Sequence, residues 1–442
     1  MNASKRYPFS RGRIDAAIVA ILAAYLLTEI FAGPLRFYLS QVGAAALVYL
    51  PKALVVATVL VGGLLWIHVG RANTLIITTV VLLSVFVGVG ALFAPSIARP
   101  AFGAFVLVPL IYAMQSEPAF TRLGNRLLPY IALLWAAVAI GVALDYFSDV
   151  PWTGAAYQLG DVEVEGSRDW STFGLERVAG FARASYEAAD QLLILALPLV
   201  LLSRWKLAKV LLWLITGLLI AVTTTKKTAA TYLLLTLFFP VFGFGMVPAW
   251  AKTYCRIVLP IIIAVIGIAL PASVLLMDYT LDLDSFVSQF LFASFEDRLT
   301  LVWPASLSLA FEHGSTFLGR GIGGIGTAQN YFEPSLYMPG DSLYVYLYVT
   351  FGVTAFVLIG LYVSWLSRLR AEVDAQDRLM WFLGIAVLMN GWANNGVESA
   401  IMAIAIGLTF SYAYTRHAKS REKRHIPQGN PAGSVSRISS SL

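Results

Sequence analysis

Apolar runs of bilayer length recur along the chain: Ala16–Phe31, Ala53–Val69, Thr74–Phe93, Phe102–Met114, Leu127–Phe147, Ala188–Leu202, Val210–Thr224, Thr228–Met246, Ile257–Met277, Leu343–Trp365, Leu379–Asn390 and Ala400–Tyr414. In hydrocarbon a backbone must satisfy its own hydrogen bonds, and runs approaching about 20 apolar residues do so as membrane-crossing helices. The sequence is 58% hydrophobic and 13% charged, which excludes an ordinary soluble domain. The expectation is an all-α polytopic membrane protein with about twelve transmembrane helices. Residues 1–425 form one transmembrane domain, and the Ser-, Gly- and Pro-rich stretch 426–442 a disordered tail.

The basic residues set the orientation. Lys5, Arg6, Arg11 and Arg13 precede the first run, and Arg416, Lys419, Arg421, Lys423 and Arg424 follow the last. Positive charge favours the cytoplasmic side, so both termini are expected there, with an even number of spans in the inner (cytoplasmic) membrane of a bacterium. Arg71, Arg122, Arg126, Arg204, Lys206, Lys252, Arg256, Arg368 and Arg370 then fall inside, while Arg36, Lys52 and Arg99 fall outside. The first run leads into Gly33-Pro34-Leu35-Arg36 without a small-residue cleavage site, so a cleaved signal peptide is not expected. The net charge of +6 lies mainly in the ends and inner loops, facing lipid head groups and not nucleic acid. Cys255 is single and the four histidines are scattered, so neither a disulfide, a metal site nor another cofactor is expected.

Lys226 and Lys227 break this pattern. They interrupt two apolar runs at a tight turn that the span count puts outside, and cations kept there point to an anion at the membrane surface. Two outer segments, 148–187 and 278–342, are too long for connectors and rich in aromatic residues. The first carries Arg177, whose guanidinium suits phosphate, and Arg183, which either pairs with Glu187 at a helix entrance or binds an anion. The second carries Arg298 and the short apolar stretch Leu299–Phe311, read as an interfacial helix with Trp303 at head-group depth. It also holds Arg320-Gly321-Ile322-Gly323, which is either a backbone N–H nest for an anion or sugar or a tight turn between packed helices. Asp282-Leu283-Asp284 resembles a metal-binding D-x-D triplet, but Asp284 as the cap of a helix starting at Ser285 suffices. Asp341 is either a helix N-cap or a general base at the membrane surface. Trp152, Tyr157, Trp170, Phe173, Tyr331, Phe332 and Tyr337 either stack on sugars or belong to the interfacial belt.

The order of these motifs resembles the bacterial O-antigen polymerase and O-antigen ligase superfamily, which includes exopolysaccharide and capsule polymerases. The resemblance rests on Arg177, Gly180 and Phe181, then Thr224, Lys227, Thr228 and Ala229, then Arg298 and Trp303, then Gly319, Gly321 and Gly323, and finally Asp341, Ser342, Tyr344 and Gly352. Lys226 replaces a usual Ser, Ser342 a common Asn, and Asp341 stands where ligases carry His, which favours a polymerase. The resemblance implies a lipid-dependent, metal-independent glycosyltransferase of the GT-C type. It would polymerise undecaprenyl-pyrophosphate-linked oligosaccharide units at the periplasmic face, with a chain-length regulator as a partner. Asp341, Arg177 and Lys227 would be catalytic, and Arg183, Lys226, Arg298, Arg320, Gly321, Gly323 and Tyr344 would bind substrate. The alternatives are a ligase moving a glycan to lipid A core and, from another class, a flippase for lipid-linked oligosaccharide. The spans carry few charges and no inverted repeat, which tells against a transporter.

Overall fold

The computed structural model describes residues 11–68, 74–159, 162–172, 175–203, 205–243, 247–281 and 283–425. Lys5, Arg6, Arg71, Phe173, Arg204, Asp282 and the tail 426–442 lie outside the described residues.

The described chain is almost wholly helical. It opens with α1 (Arg11–Ile30), α2 (Ala32–Gln41), α3 (Leu50–His68), α4 (Thr74–Leu92), α5 (Ala98–Leu123) and α6 (Leu128–Phe147). Two antiparallel hairpins follow: β1 (Ala156–Leu159) with β2 (Val162–Glu165), and β3 (Ser171–Thr172) with β4 (Leu175–Glu176). The chain continues through α7 (Ser185–Leu202), α8 (Lys206–Val222), α9 (Lys226–Gly243), α10 (Ala249–Ser273), α11 (Phe286–Asp297), α12 (Trp303–Glu312) and α13 (Thr327–Phe332). It ends with α14 (Leu343–Phe351), α15 (Thr354–Leu366), α16 (Ala375–Asn390) and α17 (Ala400–His425). Among the described residues, five helices are long and apolar enough to cross a membrane, or six if the pair α1 and α2, bent by 78°, counts as one.

Burial separates the helices into an inner and an outer set. α7 and α16 are enclosed nearly along their length, with Leu192, Leu193, Ala196, Trp381, Phe382 and Ile385 all sealed. α3, α4, α6, α8, α9 and α10 instead expose Leu60, Val81, Leu133, Leu214, Leu237 and Val265 outward. Surface this apolar is stable against lipid and not against water, as a membrane protein requires.

Charged groups collect at the two ends of the helical body. At one end Arg122 pairs with Asp15, Arg256 with Glu372, and Arg416 with both Asp374 and Asp377. At the other lie the hairpins, α11, α12 and the glycine-rich loop. There Glu333 joins two buried guanidiniums, those of Arg99 and Arg320.

Several local expectations change. Trp303 is fully buried against Phe295, with ring centroids 5.8 Å apart, so its indole packs on protein instead of facing lipid head groups. Ser285, not Asp284, caps α11, in a reciprocal capping box with Ser288. Ser342, not Asp341, occupies the N-cap position of α14; its hydroxyl donates to Gly391 O and accepts from no helix N–H.

Candidate active site

A cavity of about 530 Å³ opens between the outer segments and the ends of α7, α9, α11 and the connector 391–399. Its lining brings together Arg177, Arg183, Lys226, Lys227, Arg298 and Asp341, residues separated by up to 164 positions in the chain. Each arrives by its own local device.

Arg177 is presented by the β3–β4 hairpin, closed beyond its last pair by the Arg177 N–H donating to Trp170 O at 2.8 Å. The next turn pins the hairpin to α6. Gly180 has φ +65, its N–H and that of Ala179 donate to Asp145 at 2.7 and 2.9 Å, and Phe181 packs on Gly141. Gly180 and Phe181 therefore anchor this segment to α6, and Arg177 is the part of it that lines the cavity.

Lys226 and Lys227 follow a turn in which Thr224 takes φ +54. A β-branched residue in the left-handed region costs on the order of 1–3 kcal/mol, strain found most often at functional sites. The turn sets both ammoniums at the N-terminus of α9, where the helix dipole is already positive and favours an anion. The Lys227 ammonium lies 4.7 Å from the Tyr186 ring, and that of Lys226 4.5 Å from the Phe290 ring while donating to Phe290 O. Beside them Asp190 of α7 is fully buried and accepts from Thr228 at 2.8 Å, Asn394 at 2.9 Å and Asn390.

Arg298 starts a π-helical turn (Arg298–Val302) between α11 and α12, a local irregularity common where a side chain must be aimed. Its guanidinium pairs with Asp341 at 3.1 Å. The cations repel one another in a poorly solvated space. Burial and then the Arg298 charge push Arg177 down. Burial pushes Lys226 down too, with Arg177 and Arg298 adding to it. Lys227, ahead of the apolar run that begins at Thr228, is pushed down to about 8 by burial, against the pull of Asp190 and Asp341. Such a cluster is relieved by a multivalent anion.

The rest of the lining carries Glu398, Asn395, Thr327, Asn330, Tyr331 and Tyr337, with Arg168 and Trp170, whose ring lies 4.8 Å from the Arg168 guanidinium and 5.8 Å from that of Arg177. Both Glu398 carboxylate oxygens accept the Thr327 N–H at 3.1 Å, and Oε2 accepts the Thr327 hydroxyl at 2.8 Å. Asn395 is 8% exposed, and its Nδ2 has no protein partner. The cavity thus has a cationic pole, at Arg177, Lys226, Lys227 and Arg298, and a polar region around Glu398 that also includes Arg168. Among the described residues no group of three or more His, Cys, Asp or Glu side chains could hold a metal ion.

Four expected substrate-binding residues lie elsewhere. Arg320 is 1% exposed and spends its guanidinium on Glu333, His313 O and Gly324 O. Gly321 and Gly323 face α4 and α5 so closely that a β-carbon would come within 2.0 Å of Gly90 N and 2.6 Å of Arg99 O. The glycine run is therefore a packing joint and no open anion nest. Tyr344 is buried against Gly267 and donates to Leu388 O at 3.0 Å. Arg183 does line the cavity but precedes α7, so it is not an i,i+4 partner of Glu187 on a helix face, although the Glu187 charge acts on it. Of the aromatics, Trp170, Tyr331 and Tyr337 line the cavity. Trp152 and Tyr157 are buried in packing, and Phe332 stacks edge-on with Phe102.

Asp190, Asn394 and Glu398 were missed in the sequence. Asp190 had a signal, a carboxylate inside an apolar run; Glu398 lies in a connector too short to attract notice.

No family model, no curated protein and no solved structure matches the chain.

Proposed function

We propose that the protein is a polysaccharide polymerase, a metal-independent membrane glycosyltransferase that joins undecaprenyl-pyrophosphate-linked oligosaccharides at the periplasmic face. The observation that carries this reading is the convergence of Arg177, Lys226, Lys227 and Arg298, from three separate segments, on one cavity that also carries the Glu398 carboxylate. A pyrophosphate leaving group gathers negative charge as its bond to the sugar breaks. Fixed cations in a low-dielectric site stabilise that charge most, typically by 10²–10³ in rate for one well-placed donor. The roles follow: Lys227, Arg177 and Lys226 hold the pyrophosphate, Arg298 completes the cluster, and Asp341 fixes Arg298 in place.

The same reading takes the helical body as a GT-C-type fold of about twelve spans in a bacterial inner membrane, both termini cytoplasmic. In its support, the end carrying Arg122, Arg256 and Arg416 lies opposite the cavity. A break at Gly124 (φ +47) between α5 and α6 is consistent with two spans within the long stretch Ala98–Phe147. Asp341 in place of a ligase His favours polymerisation over transfer to lipid A core.

A transporter of lipid-linked oligosaccharide is the second reading, favoured by the carboxylates of Glu187 and Asp190 inside α7. The test is genetic. Deleting the gene should leave single repeat units in place of polymer. Complementation with Lys227→Ala or Arg177→Ala should fail although the protein reaches the membrane, while Lys227→Arg restores part of the polymer. Normal polymer from both alanine variants would defeat the proposal.

A further inference from the structure

Resting on that reading, the geometry points to Glu398 as the catalytic residue that takes the proton from the acceptor sugar hydroxyl, and to the wall around it as the acceptor subsite. The wall is formed with Asn395, Thr327, Asn330 and Tyr331.

The argument is one of elimination among carboxylates. Asp341 is engaged by Arg298 at 3.1 Å, on the cationic side. Asp190 is fully buried and does not line the cavity, its carboxylate accepting from Thr228, Asn390 and Asn394 inside the helical body. Glu187 lines the cavity as well and, like Glu398, forms no ion pair among the described residues, but the charges of three arginines, Arg183, Arg36 and Arg168, act on it, against Lys52 and Arg183 on Glu398. Glu398 lines the cavity, and among the described residues no cation forms an ion pair with it. Its hydrogen bonds all come from Thr327, which leaves capacity on a carboxylate that has about four acceptor sites.

The backbone has been shaped to admit this carboxylate. Gly326 has φ +80, and a β-carbon there would lie 2.6 Å from Oε1 and 2.7 Å from Oε2 of Glu398. Gly326 thus makes room for Glu398, whereas the neighbouring Gly321 and Gly323 make room for helices. Burial pushes the Glu398 carboxyl up to about 7, against the Thr327 hydrogen bonds and the charges of Lys52 and Arg183. A group poised there both accepts and releases a proton near neutrality.

In the step, the acceptor oxygen bonds to the donor's anomeric carbon as the bond from that carbon to the pyrophosphate oxygen breaks. The bonding pair leaves with the pyrophosphate at the cationic pole. The hydroxyl proton goes to Glu398 and from there to water.

The test uses purified full-length protein in phosphatidylethanolamine/phosphatidylglycerol vesicles. Turnover is measured on lipid-linked oligosaccharide extracted from the deletion strain, and affinity is measured separately with inorganic pyrophosphate. Glu398→Gln should lower turnover by about 10²–10⁴-fold while changing pyrophosphate affinity by less than about twofold. Formate should restore turnover to Glu398→Ala by supplying the missing carboxylate. Near-wild-type turnover of Glu398→Gln overturns the inference and leaves the polymerase reading standing. So does loss of pyrophosphate binding in step with activity and without formate rescue, which would mark a structural role. An inactive wild-type protein would instead defeat the polymerase reading itself.

Discussion

Arg298 and Asp341, 43 residues apart, form a 3.1 Å ion pair that ties the start of the π-helical turn to the loop ahead of α14. The pair explains why Asp341 does not cap its helix: its carboxylate is turned into the cavity, toward a guanidinium whose other bonds go to Ser294. Asp341 therefore both aims Arg298 and offsets part of the positive charge of the cluster.

Asp341→Asn should separate those two effects. Removing the negative charge leaves the pole one unit more positive. Inorganic pyrophosphate should then bind roughly two- to fivefold tighter at low salt, the scale of one partly exposed charge pair. Turnover should fall, because Arg298 loses its fixed partner. Titration calorimetry at two salt concentrations checks the affinity. Unchanged binding and unchanged turnover would remove Asp341 from the site.

The Arg99–Glu333–Arg320 triad is structural, and the glycine-rich loop depends on it. Glu333→Gln leaves two guanidiniums, 0% and 1% exposed, without their shared counter-charge. Breaking a buried ion pair from one side costs about 3–5 kcal/mol. The variant should melt far below the wild type in a detergent thermal-shift assay, or fail to accumulate. Arg168→Ala, which removes a side chain that pairs with the exposed Glu165 and lies over the Trp170 ring, should not. Equal melting of Glu333→Gln and wild type would contradict the assignment.

The pH dependence of turnover follows from two groups. Glu398, its carboxyl pushed up to about 7, must be ionised, so the rate rises as pH rises through that value. Lys227, pushed down to about 8, must be protonated, so the rate falls as pH rises above it. The expected profile is a narrow bell. Lys227→Arg should move its alkaline limb upward, since a guanidinium stays charged. Glu398→Gln should flatten the acidic limb of what activity remains. A profile flat between pH 6 and pH 9 would exclude both assignments.

The cationic pole was legible in the sequence because its residues are out of place locally. Lys226 and Lys227 break an apolar stretch, and Arg177 and Arg298 sit in segments too long to be connectors. Arg320 looked the same by that criterion. Its partner Glu333 is 13 residues on, and the Arg99 that shares Glu333 is 234 residues away from it, so no local pattern marks the guanidinium as spent. Glycines were ambiguous for a related reason: Gly321, Gly323 and Gly326 share a positive φ, but only the neighbours supplied by the fold tell a packing joint from a notch for a carboxylate. The region around Glu398 is assembled from the connector 391–399 and α13, elements with no periodicity of their own. Asp190 was readable and was passed over, since one carboxylate in an otherwise apolar helix marks a buried partner.

The most direct test of the central claim is whether the purified protein makes glycosidic bonds. Proteoliposomes given undecaprenyl-pyrophosphate-linked oligosaccharide should yield a ladder of lipid-linked products one repeat apart. They should release one undecaprenyl pyrophosphate per bond formed, without added metal, and Lys227→Ala should abolish both. Movement of the oligosaccharide across the bilayer with no covalent product and no released pyrophosphate would contradict the account and identify a transporter.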